Sequence, residues 1–129
     1  MSVNQRENDP RYLLIDDDPV FSSIMVAAAF RQGIHLEAYP SLKSMHSVGN
    51  LGHYQGVILD YQLDQMTGVE IGQYMSAFFP ATPVVLVSAG ERRPESSWPP
   101  CIREFVPKSA GHGHVLASIL GHCHHGGNQ

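Results

Sequence analysis

The sequence predicts an α/β domain, a parallel sheet with helices on both faces. Short apolar runs alternate with helix-spaced apolar positions five times along the chain, and that alternation requires right-handed crossovers between parallel strands. The run from Pro83 to Val87 is continuously apolar and rich in valine, as a central strand covered on both faces must be. Two other runs stop abruptly at acids, Asp16 to Asp18 and Asp60, each followed by a helical pattern. The 129 residues suffice for one such domain.

Each element follows from local chemistry. After a polar leader, residues 1–10, the strand Tyr12 to Ile15 ends in the acidic loop. Asp18 is a good N-cap and Pro19 a good first helical residue, after which Val20, Phe21, Ile24, Met25 and Ala28 recur at helical spacing up to Gly33. A strand over Leu36 to Tyr39 and a short helix over Ser41 to Val48 come next. Gly49 to Gly56, with three glycines, is a turn-rich connection. The strand Val57 to Leu59 leads to Asp60, the loop YQLDQMTG, and a helix through Val69, Ile71, Met75 and Phe78 that stops at Pro80. Pro83 to Val87 ends in Ser88, Ala89 and Gly90. Pro94, Pro99 and Pro100 leave room for a turn or two of helix between Glu91 and Arg103. Glu104 to Val106 is the last strand, and Lys108 and Ser109 lead into a helix carrying Val115, Leu116, Ile119 and Leu120. The expected organisation is a leader over 1–10, a domain over 11–121 and a His- and Gly-rich tail over 122–129.

Charge and composition narrow the function. A formal charge of -4 supplies no basic field for nucleic acid. The longest apolar stretches fall far short of the roughly 20 residues that span a bilayer. The polar N-terminus lacks the apolar core of a secretory signal, so a cytoplasmic location is expected. Cys101 and Cys123 read as reduced thiols. Five of the eight histidines lie in the last eighteen residues and read as a polar tail rather than as a metal sensor, since GHGH and GHCHHGG fix no ligand geometry.

In open parallel sheets ligands bind outside the carboxyl ends of the strands, and those ends carry Asp16, Asp17, Asp60, Ser88 and Lys108. Taken singly, each is an ordinary cap or a solvated side chain. Together, three carboxylates from two strands repel one another unless a cation sits among them, and a hard, oxygen-ligated divalent ion, Mg2+, is the natural partner. Lys108 is one of only two lysines in the chain. A carboxylate that shares a metal and faces an ammonium and a hydroxyl is suited to attack phosphorus, with Asp60 as the nucleophile.

These residues resemble the receiver domains of two-component response regulators, the CheY-like family. The resemblance runs from about Arg11 to Leu120, through LLIDDDP, VILDYQLDQMTGVEI, VVLVSA and FVPKSA in order. It implies a flavodoxin-like five-stranded sheet of order 2-1-3-4-5 and, as partner, a histidine kinase or histidine phosphotransfer protein. It implies Asp60 as phosphoacceptor, with Asp17, Asp60 and the carbonyl of Gln62 as direct Mg2+ ligands and Asp16 acting largely through water. Ser88 matches the switch hydroxyl, Ala89 the small residue whose amide meets the phosphoryl group, Lys108 the phosphate-pairing lysine, and Phe105 the switch aromatic. The implied protein is a signalling phosphoacceptor rather than a conventional enzyme, a monomer or weak dimer that binds neither nucleic acid nor membrane directly.

The pattern departs from the family in places. Ser109 follows Lys108 where proline is usual, so a cis peptide there costs about 3 kcal/mol without proline to lower it. Asp64 stands where many members have proline, and Glu91 to Arg103 reads as an irregular or shortened fourth helix carrying Trp98. Gly90 offers no side chain to hold a hydrolytic water, which points to a persistent phosphorylated state. A competing reading is a phospho-independent docking domain that uses 91–103, with its output partner unknown. A phosphohydrolase of the haloacid-dehalogenase type ranks last, because Gln62 stands where its second aspartate belongs. With little chain after the last helix, the expectation is a domain acting alone or cut from a longer protein.

Overall fold

The structure, a computed structural model, describes residues 11–45, 54–63, 66–78, 80–90 and 99–127. Its strands are β1 (Arg11–Ile15), β2 (His35–Tyr39), β3 (Gly56–Asp60), β4 (Val84–Ser88) and β5 (Ile102–Pro107). Its α-helices are α1 (Pro19–Arg31), α2 (Gly68–Phe78) and α3 (His112–Gly127). The strands form one sheet in the order β2-β1-β3-β4-β5, and every neighbouring pair is parallel. This is the expected doubly wound architecture.

Alternation along the central strands builds two cores. Leu13, Ile15, Val57, Leu59, Val84 and Leu86 face Ile71 and Met75 of α2. Their neighbours Tyr12, Leu14, Ile58, Val85 and Val87 face the other way, against Met25, Ala28 and Ala29 of α1 and Val115, Leu116 and Ile119 of α3. Each fully buried aliphatic side chain contributes roughly 1.5–3 kcal/mol of transfer free energy, so this pattern fixes the register of the sheet against slippage. Cys101 belongs to the first core and Cys123 packs on the second, so the sheet separates two free thiols.

Helix ends follow the sequence closely. Asp18 accepts the amides of Val20 and Phe21 at the start of α1, and Pro19 occupies its first turn. Gly33, at φ 74°, closes α1 while Gly33 N–H donates to Phe30 O and Ile34 N–H to Ala29 O, the paired bonds of a Schellman end. Thr67 and Glu70 exchange side-chain and backbone hydrogen bonds at the start of α2, a capping box. Two glycines permit close approach: a Cβ on Gly72 would lie 2.5 Å from Ile102 Cδ1, and one on Gly56 would lie 2.7 Å from Cys123 Sγ.

Three elements differ from expectation. Where a short helix was expected over Ser41 to Val48, the described part is a single 3-10 turn, Lys43–Met45. There Ser41 and Ser44 bond each other's backbone, Ser44 Oγ donating to Ser41 O at 2.7 Å, and such local bonds compete with helix propagation. The loop after Asp60 contains a two-residue antiparallel ribbon, Gln62–Leu63 with Met66–Thr67. The expected tail begins inside α3, which runs to Gly127, because Cys123 continues the apolar stripe of Ile119 and donates its thiol to Gln55 O at 3.1 Å. The leader, Asp64 and most of the 91–103 segment, Trp98 included, lie outside the described residues. Among the described residues no helix is long and apolar enough to cross a membrane.

Candidate functional site

The site forms where four strands end. β1 delivers Asp16 immediately after Ile15, and Asp16 N–H donates to Tyr39 O at 3.0 Å, extending the β1–β2 ladder by one residue. β3 ends at Asp60, which lies level with Val87 of β4, and Tyr61 N–H donates to Val87 O at 2.7 Å. Ser88, the last residue of β4, sits beside Pro107, so Lys108 follows directly onto the same edge of the sheet. Parallel pairing therefore brings together residues that lie far apart in the sequence.

One oxygen from each of Asp16, Asp17 and Asp60 falls within 4.8 Å of the others. Asp16 is buried, Asp17 exposed and Asp60 in between. Asp16 Oδ1 accepts the backbone N–H of Asp18 at 2.9 Å, which locks the loop that aims the cluster. Asp16 Oδ2 lies 2.8 Å from Lys108 Nζ and, among the described residues, accepts no hydrogen bond beyond this ion pair. A fully buried carboxylate oxygen with its capacity only partly used, set among two further carboxylates, fits a hard divalent cation. The all-oxygen donor set fits it too, and disfavours a soft metal.

Around this centre, Ser88 is half-buried and its Oγ accepts the N–H of Gly90 at 3.1 Å, while Ala89 is exposed. Gln62 opens the ribbon two residues past Asp60, paired with Thr67. Phe105 pairs with Leu86 and packs, partly buried, against the core on the α2 side. Lys108 leads into a 3-10 turn, Lys108–Ala110, and the described chain contains no cis peptide, in keeping with Ser109 at the usual proline position.

Two residues near the lysine were not singled out for function by sequence reasoning. Asp18 Oδ2 lies 4.0 Å from Lys108 Nζ, and the Phe21 ring lies with its centroid 4.7 Å from the same nitrogen. In the sequence they read as an N-cap and a core-facing helix residue, and both readings are satisfied as well. Only the fold reveals that the Lys108 side chain, just past β5, reaches the first turn of α1.

The fold and this acidic edge define a class. Residues 12–98 match the family model of the response regulator receiver domain, and the chain belongs to that family. The match stops short of β5 and Lys108, which the sheet nevertheless carries to the acidic edge. A CheY-like receiver domain protein from Methanospirillum hungatei JF-1 superposes with a TM-score of 0.75 at 16% identity, over 89% of this chain and 94% of that one. TrrA from Thermotoga maritima, solved with Mg2+ and BeF, superposes with a TM-score of 0.71 at 21% identity, over 85% and 96% of the two chains. The Saccharomyces cerevisiae Ssk1 receiver domain, solved with the phosphotransfer protein Ypd1, gives 0.72 at 12% identity, with 87% of each chain covered. At such identities the likeness establishes the fold. No curated protein matches the sequence. Receiver domains are signalling modules of two-component phosphorelays, not conventional enzymes, and they hold a divalent metal at an acidic pocket of this kind.

Proposed function

We propose that the chain is a phosphorylation-dependent receiver in which Asp60 accepts a phosphoryl group from a histidine kinase or a histidine phosphotransfer protein. The observation that carries this reading is the meeting of Asp16, Asp17 and Asp60 within 4.8 Å, with Lys108 Nζ 2.8 Å from Asp16. An oxygen of Asp60 attacks phosphorus; the new P–O bond forms as the P–N bond of the donor phosphohistidine breaks, and the imidazole leaves to take up a proton. Asp17, Asp60 and the Gln62 carbonyl, with Asp16 through water, would hold Mg2+, which when bound would supply charge neutralisation for phosphoryl oxygens. Lys108 then pairs with the product phosphoryl group, and Ser88 donates its hydroxyl to it.

The switch belongs to the same proposal. Phosphorylation adds acceptor oxygens that draw Ser88 inward, and the Ser88–Gly90 hydrogen bond is what that movement gives up. Phe105, half-buried one strand away, moves into the vacated space and carries the change to the surface. The Ala89 amide completes the phosphoryl cradle. A cytoplasmic location follows from the class of donor proposed.

The partner surface lies on α1, where Val20 is 66% exposed and Ile24 42% exposed, directly after the exposed Asp17. Apolar side chains left in water beside a reactive site suit a helical donor that must bring a phosphohistidine to Asp60. The complexes of TrrA with the histidine kinase ThkA and of Ssk1 with Ypd1 support that kind of partner.

Intact mass after incubation with Mg2+ and acetyl phosphate or phosphoramidate tests the reading. The expected result is a gain of one phosphoryl group in the wild type, abolished by chelation and by Asp60→Asn. No gain in folded protein, repeated with a phosphorylated histidine donor, would overturn it in favour of phospho-independent docking.

A further inference from the structure

We infer that Phe21 is a positioning residue for Lys108, an aromatic wall that holds the ammonium at the acidic edge while leaving its N–H donors free for an incoming anion. The inference rests on the proposed phosphoryl acceptance and adds a component to it. Lys108 Nζ lies 2.8 Å from Asp16 Oδ2, 4.0 Å from Asp18 Oδ2 and 4.7 Å from the centroid of the Phe21 ring. The lysine side chain is 17% exposed, so its flexible stem is largely enclosed and the ring acts on a partly desolvated charge.

The first turn of α1 supplies two of these walls together. Phe21 N–H donates to Asp18 Oδ1 at 3.3 Å, so the cap that starts the helix also sets the ring and the Asp18 carboxylate relative to each other. The chemistry of the three contacts differs. A carboxylate attracts the ammonium by accepting a hydrogen bond, and each one accepted is a donor that phosphate must win back. The face of a phenyl ring attracts the same charge through its quadrupole and uses no particular N–H. Among the described residues, holding lysine with one close carboxylate and one ring thus restricts where Nζ sits yet leaves the three-donor head unsaturated. A leucine in the same place would fill the space without this attraction, and the ammonium would sample more positions before each transfer.

The test compares Phe21→Leu with Phe21→Tyr, using the rate of phosphorylation by acetyl phosphate at saturating Mg2+. Phe21→Leu should slow the reaction by about threefold to tenfold, and Phe21→Tyr should restore it to within about twofold of wild type. In a Lys108→Met background Phe21→Leu should have no further effect, since the ring would act through the ammonium alone. A loss that persists in that background, or an equal loss in Phe21→Tyr, would overturn the inference and leave Phe21 as packing. An independent arm reads the contact itself. With only two lysines in the chain, the ring-current displacement of the Lys108 side-chain resonances is readily assigned, and it should vanish in Phe21→Leu and persist in Phe21→Tyr. A displaced resonance in a wild type that accepts no phosphoryl group would show the contact standing while the functional reading falls. An undisplaced one would overturn the contact whatever the phosphorylation result.

Discussion

Glu37 and Asp16 are both carboxylates with little exposure, one in the middle of β2 with its partners at the N-terminal ends of the strands and the other at the C-terminal edge of the sheet, and their surroundings differ in kind. Glu37 is paired with Arg11, lies 3.1 Å from His35 Nε2 and accepts the Tyr54 hydroxyl at 2.7 Å. Arg11 is itself stacked over the Tyr54 ring, 5.7 Å from its centroid. One acid is met by three donors, and the cluster ties β2 and β1 to the residue that leads into β3. At the C-terminal edge three acids crowd within 4.8 Å of one another, Lys108 pairs with the buried Asp16, and among the described residues that ion pair is the partner of Asp16 Oδ2. The first arrangement spends its charge on stability. The second leaves negative charge for something to bind.

That contrast extends to titration. Burial pushes Glu37 upward, but the hydrogen bonds from Arg11 and Tyr54, with the charges of Arg11 and His35, outweigh it and hold the carboxyl below its ordinary value. Burial and the neighbouring Glu37 push the Tyr54 hydroxyl up in turn. A group whose pKa is lowered by folding contributes stability above its ordinary pKa and loses that contribution as pH falls through the lowered one.

The largest expected effect lies at the acidic edge. Asp17→Asn should weaken Mg2+ binding by at least about tenfold to a hundredfold, measured as loss of the Mg2+-dependent rise in melting temperature. In the presence of chelator the same variant should melt about 1–3 °C higher than wild type, because one of three repelling charges is gone. Lower stability without metal would remove the distinction between the two edges. Next in size, Glu37→Gln should cost about 1–3 kcal/mol in denaturant unfolding, since it removes the charge that pairs with Arg11 and turns one of two acceptor oxygens into a donor, while Mg2+ affinity stays unchanged. A change in affinity would mean that the two edges are coupled through β1.

A pH series sharpens the same comparison. In wild type the melting temperature should fall as pH drops below the ordinary carboxylate range, and in Glu37→Gln that acid limb should be flatter. The smallest effect belongs to Glu104, whose carboxyl is lowered by the Ser118 hydrogen bond, held to 2.6 Å, and by His122 against the opposing pull of burial. Its side chain is 39% exposed, so Glu104→Gln should change unfolding free energy by well under about 1 kcal/mol.

Much of the site was legible in the sequence because the chemistry sits at strand ends. An apolar run that stops at an acid marks the carboxyl edge of a parallel strand, and Asp16, Asp60, Ser88 and Lys108 all fall there. The caps were legible for a similar reason: Asp18 before Pro19 acts within one turn of chain. In the described part of the short helix expected over Ser41 to Val48 a 3-10 turn stands instead, because propensity over a few residues is weak beside the reciprocal bonds of Ser41 and Ser44. The continuation of α3 past Gly121 was not legible, because composition marks His and Gly as polar, whereas Cys123 continues the packed stripe of the helix.

By itself the sequence determined the alternation of elements, the edge of the sheet that bears the acids, and the residues that end each strand. These depend on periodicity and on interactions a few residues apart, which any stretch of chain carries with it. Only the tertiary structure decided which side chains touch across that distance: Lys108 against Asp16 and the Phe21 ring, Glu37 between Arg11 and Tyr54, Gly72 beneath Ile102. Such contacts are set by how the strand ends and helices are brought together around the sheet, a relation among distant segments that exists only once the strands have paired.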